Sequence, residues 1–391
     1  MRRNISRQQE KTPFFPSFNP IQFLFMCFYI VLVFTACKSN REEGDYIVDY
    51  SIDTLKIITH EHGLSLTDAP RVINTTAGEF YINFNEAFRE LYFYNLDSAR
   101  YSHTVKFKKN GPEKVPDCSN YIISGDTVIV IDSKSFKFIH KDGTFIEDIS
   151  LKDMFPELAE THRLGKSGIT IANLLYTAYY APEKAVVFHP FRNGYPWEDG
   201  FYKDPLICWY EVDDHSGEKF NVQFPRELEG DIFYDDLAIP HILIHKEDII
   251  YHFHYKSTFY LYNRQNGEIV KKTFSADHLD PKVKGVKRSG VKGLTSLVMG
   301  PKYHNLQYDP YKDLFYLLYN YKFNGQDRKQ LIIFNDQLEK LGEIPLPDVL
   351  SDYYAISKKG LLFRNMDDLA YKSIELYAFN VIIQPSNATD S

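Results

Sequence analysis

The sequence predicts an all-β protein: a β-propeller, six-bladed, with the ring closed by its N-terminal strand. Three observations carry that expectation. Tyr (29) and Phe (30) far outnumber Met (5), a bias that favours strands over helices. One pattern of apolar run, turn, alternating run and Gly- or Asp-containing turn recurs six times, at roughly the repeat length of propeller blades. A sheet of three or four strands cannot cover its own faces, so successive sheets must stack on one another.

The units follow in order. Residues 78–83 precede 90–95 in the first, and 126–132 precede 136–139 and 144–146 in the second. In the third, 184–188 precede 206–210 and 219–222; in the fourth, 248–251 precede 258–262 and 268–270. The fifth has 313–317 and 330–334, the sixth 360–363 and 373–377. The leading run of each unit is apolar throughout, as in a strand covered on both faces, whereas the next run alternates. Asp142-Gly143, Ser216-Gly217 and Asn266-Gly267 supply the positive φ angles that tight hairpins need. The sixth unit lacks an outer strand, and the spare run 46–57 has the character to supply it. Two other packings use the same strands: a two-sheet sandwich, and a seven-bladed ring with one degenerate unit.

The N-terminus reads as an export signal. Arg2, Arg3, Arg7 and Lys11 lead into the apolar stretch 21–36, after which the chain turns polar. A helix of that length spans only about 24 Å, short of a membrane's hydrocarbon core. Phe34, Thr35, Ala36 and Cys37 resemble the lipobox of bacterial lipoproteins, with Phe34 where that pattern usually has leucine. The resemblance implies cleavage before Cys37, lipid on its thiol, and, with Lys38 next, residence at the outer membrane on either the periplasmic or the exposed side. The expected organisation is a signal peptide (1–36), a lipidated linker (37–45), one propeller domain (46–385) and a short tail (386–391). With its signal, its lipid cysteine, and aromatic strands such as 308–316, the whole mature chain resembles Bacteroidetes-type lipoproteins carrying a six-bladed propeller of unknown function. That resemblance implies a fold and an address, and no activity.

Net charge is −7, and near −10 without the four bases and one acid that precede Cys37. Nucleic acid is therefore not an expected partner, because its binding relies on neutralising phosphates. Cys118 and Cys208 read as buried apolar thiols, separated by more than one unit.

Three features fall on the propeller face shared by the loops after each second strand and between blades. The long loop 189–203 holds Arg192, Tyr195 and Trp197, rings and a cation suited to stacking on sugars or peptides; a lid packing its own aromatics is the plainer reading. Segment 282–293 concentrates cations in an acidic chain, Lys287 and Arg288 among them, as an anion site or a solvated loop. His252 and His254 lie two apart on one strand, with His241 and His245 a strand away, and could both reach one metal; no third ligand is identifiable. The mature chain has no Gly-x-Ser-x-Gly, His-Glu-x-x-His or Cys-x-x-Cys, and no cofactor is expected. The leading expectation is a binding module held to the membrane by its lipid, with a glycan, a peptide or an envelope protein as partner. The competing one is a carbohydrate-active enzyme, a glycoside hydrolase or lyase, on the same scaffold.

Overall fold

The computed structural model describes residues 46–59, 71–85, 88–111, 113–115, 120–164, 176–193, 202, 205–229, 232–276, 286–287, 302–366 and 373–385. The architecture is all-β. The first sheet contains Arg71–Thr75, Gly78–Asn85, Glu90–Asn95 and Arg100–Lys106; the second Asn120–Ser124, Thr127–Ile131, Ser135–His140 and Phe145–Ser150. The third contains Thr177–Tyr180, Ala185–Phe188, Cys208–Glu211 and Ser216–Lys219; the fourth Pro240–His245, Asp248–Phe253, Thr258–Asn263 and Ile269–Thr273. The fifth contains Lys302–Asp309, Leu314–Phe323, Gln326–Phe334 and Lys340–Leu346. In every sheet neighbouring strands run antiparallel in chain order, and the apolar run of each unit is the second strand.

The sixth sheet is assembled from both ends of this unit. Leu350–Ser357, Gly360–Asn365 and Ser373–Pro385 are followed by Tyr46–Ile58, which pairs with the last strand along its whole length, Tyr46 opposite Pro385 and Ile58 opposite Ser373. Ile58 also meets Arg100 in a single parallel pair, which links the first and sixth sheets.

The second strands explain why the sheets must stack. Side chains alternate between faces along a strand, and here both faces are buried. In the second sheet Val128 and Val130 pack with Phe80 and Ile82 of the first, while Ile129 and Ile131 pack with Val186 and Phe188 of the third. Ala185 and Val187 then meet Ile249 and Tyr251 of the fourth, Ile250 meets Phe315 and Leu317 of the fifth, and Tyr316 and Leu318 meet Leu361 and Phe363 of the sixth. Leu362 and Leu376 of the sixth pack with Tyr81 and Tyr92 of the first. A polar clasp reinforces this last seam: Glu79, 3 % exposed, accepts hydrogen bonds from Ser357 Oγ (2.7 Å) and the Lys358 backbone N–H (2.9 Å).

Two of the expected turns use glycine as anticipated, with φ +90° at Gly143 and +71° at Gly267. Ser216-Gly217 does not. The positive φ falls on His215 (+47°), and Gly217 lies inside Ser216–Lys219, where a Cβ would come within 2.7 Å of the Phe155 ring. This glycine serves the close approach of the helix Leu151–Met154 and its following residue rather than the turn.

Candidate functional site

In an antiparallel meander the first strand begins where the second ends, so both place residues at one end of the sheet. In the fourth sheet this register sets His241, second in its strand, opposite His252, while His254 follows just beyond Phe253. His304 enters from the fifth sheet as the third residue of its first strand, and Tyr303 ties the two sheets by donating its backbone N–H to His254 O (2.8 Å). The result is a cluster of four imidazoles in one seam. Ring centroids are 5.0 Å apart for His241 and His252, 5.8 Å for His252 and His254, 6.5 Å for His241 and His254, and 6.3 Å for His254 and His304.

None of the four is more than 5 % exposed. Burial is the first cause of a pKa shift in all of them, because a low-dielectric seam disfavours the charged ring. It lowers His252 to about 3 and His304 to about 4, and takes His241 and His254 well below the ordinary value, with the neighbouring histidines adding to the effect. Among the described residues, Nε2 of His241, His254 and His304 and both ring nitrogens of His252 lack hydrogen-bond partners. Thr177 Oγ1, at the start of the third sheet's first strand, and Asn305 Nδ2, beside His304, are in the same condition. Buried polar atoms are normally paired, so their concentration at the strand-entry end marks it out from the apolar seams below.

The expected metal pair, His252 and His254, is thus brought together with two more imidazoles. The rings of His241 and His252 stack at 27°, and among the described residues no three His, Cys, Asp or Glu side chains are placed to hold a metal ion. His245 does not join the cluster. It points to the same seam farther along the strand and packs its ring on Tyr308 (4.3 Å) and Phe315 (4.9 Å). His304 escaped the sequence reading because it lies some fifty residues from His252. The usable signal was its position, at the start of the next unit's first strand.

The other candidates lie at the ends of loops. Arg192, half-buried, pairs through its backbone with His162 in the short ribbon formed by His162–Arg163 and Phe191–Arg192. The ribbon is seated by Phe191, whose ring meets Tyr176 edge-on at 4.8 Å. Lys287 lies in Val286–Lys287, which pairs with Ile232–Phe233. These two candidates therefore sit on separate ribbons. Tyr195, Trp197, Arg288 and Cys37 lie outside the described residues, as do Cys118 and the apolar stretch 21–36. Cys208 is a free, buried thiol.

The chain shares its fold with two solved structures. A member of the DUF4221 family from Bacteroides vulgatus matches over 87 % of this chain and 99 % of its own length, with a TM-score of 0.67 and 12 % identity. A putative exported protein from Bacteroides fragilis matches over 86 % and 96 %, with a TM-score of 0.53 and 13 % identity. No curated protein matches the sequence. The model of a domain of unknown function, DUF4221, matches residues 45–345, and the chain belongs to that family.

Proposed function

We propose that this protein is an outer-membrane lipoprotein, held by lipid on Cys37, that acts as a binding module and receives its ligand at the strand-entry end of a six-bladed propeller. The ring itself is supported by the six apolar seams, the last of which joins the sixth sheet to the first, and by the pairing of Tyr46–Ile58 with Ser373–Pro385. Antiparallel strands joined non-covalently in this way bring the two ends of the domain into one blade. The observation that carries the binding role is the group of buried imidazole nitrogens at the strand-entry end that have no hydrogen-bond partner among the described residues.

Two experiments test the reading. Metabolic incorporation of palmitate should label the wild type and be lost in Cys37→Ser; equal labelling removes the anchor. A screen of glycans and peptides should yield a ligand whose binding weakens at least tenfold in Trp197→Ala or in Lys287→Ala/Arg288→Ala. Unchanged binding in both variants refutes the face assignment. Turnover of a glycan in the same screen selects the carbohydrate-active enzyme instead.

A further inference from the structure

The seam between the fourth and fifth sheets ends in four neutral imidazoles, and among the described residues no acid lies against the rings contributed by the fourth sheet. The groups that face them can be named element by element. The fourth sheet contributes His241, His252 and His254; the fifth contributes His304 and, nearby, Lys302, whose charge acts on both His254 and His304. Asn320 and Lys329, also of the fifth sheet, neighbour His304. From the sixth sheet come Asp352 and Tyr353, whose ring lies edge-on to His304 at 6.1 Å. Asp352 is the one acid acting on this cluster among the described residues, and it is bound to Lys329 at 2.8 Å. A proton added to any one ring therefore places a charge beside other imidazoles and a lysine, on a ring that is almost wholly buried.

We infer that this end of the seam is an acid-sensitive latch: the fourth and fifth sheets are held together there while the four imidazoles are neutral, and part when mildly acidic surroundings protonate them. Protonation needs solvation, and the rings can gain it only by admitting water between the sheets. The direction follows from linkage. For a histidine whose pKa is lowered in the closed state, stability is complete above the ordinary value of 6.5 and falls as pH drops from there toward the lowered value. The closed state loses a factor of about ten per histidine per pH unit in that window, so about thirty-fold per histidine at pH 5. Protonation of His245 is resisted in the same direction, but its partners Tyr308 and Phe315 lie away from the cluster.

Hydrogen exchange of the full chain at pH 7.5 and pH 5.0, corrected for intrinsic rates, tests the latch. Backbone amides of 250–254 and 303–306 should lose at least ten-fold protection at pH 5.0, while those of 127–131 in the second sheet keep theirs. In His252→Leu/His254→Leu the acid-dependent loss should shrink by at least ten-fold. Equal loss in both regions, or the same acid response in the double variant, overturns the inference. Should the double variant fail to fold, the imidazole resonances of the wild type decide. Ordinary titration of the four rings near pH 6.5, with amide protection intact, overturns the latch, and rings that stay neutral until the seam exchanges support it.

Discussion

Replacing Glu79 tests the seam between the first and sixth sheets most directly. Its carboxylate is buried and accepts two hydrogen bonds across the seam, from Ser357 Oγ at 2.7 Å and from the Lys358 backbone N–H at 2.9 Å. Hydrogen bonds to a charged group contribute about 1.5–3 kcal/mol each, and truncation leaves two donors in a site too buried for full hydration. Glu79→Ala should therefore cost about 3–5 kcal/mol. Glu79→Gln keeps one acceptor and presents an amide that Ser357 Oγ can accept from, so its cost should be about 1–2 kcal/mol. A domain of this size unfolds with an entropy of about 0.7 kcal/mol/K, which turns the alanine effect into a Tm drop of about 4–7 °C. Urea unfolding with the slope fitted freely is the assay, and Ser357→Ala completes a double-mutant cycle. The coupling energy should be about 1–2 kcal/mol, since the Lys358 bond survives in the serine variant. An alanine variant within 1 kcal/mol of wild type, at unchanged slope, refutes the clasp.

Three further outcomes are expected. Gly360→Ala should destabilise by about 3 kcal/mol or more in the same assay, because φ is +114° there and a Cβ would collide with the Phe379 carbonyl oxygen. Lys137 is buried between Asp132 and Asp148; Lys137→Met should stay within about 2 kcal/mol of wild type while Asp132→Ala/Asp148→Ala costs about 3 kcal/mol, since an unpaired buried charge is worse than none, and the opposite ranking contradicts this. Burial pushes the Cys208 thiol far up, so iodoacetamide should leave it unlabelled at pH 8 in the native protein and modify it only in denaturant, as peptide mapping would read.

Much of the strand plan is legible along the chain. Runs such as 128–131 and 185–188 are apolar at consecutive positions, which a strand tolerates only when both its faces are covered, and the structure covers both. Residues 46–57 read as a spare strand because they alternate and stand apart from any hairpin, and they pair with the final strand. The first strands were less visible. Thr177–Tyr180 is short and mostly half-buried, so its pattern carries little periodicity. The Ser216-Gly217 turn misled for a different reason: its glycine answers to Phe155, sixty residues away, and local turn preferences contain no record of such a neighbour.

By itself the sequence determined where the second and third strands of each sheet lie, that the second strand of each is covered on both sides, and that residues 46–57 form a spare strand. Alternation and turn residues are local properties, readable a few residues at a time. Tertiary structure alone decided that His304 would stand with His241, His252 and His254, that Glu79 would reach Ser357, and that, among the described residues, no acid would pair with the buried rings of the fourth sheet. Those are meetings between sheets, set by how the apolar faces stack, and no short stretch of chain encodes the partner it will face.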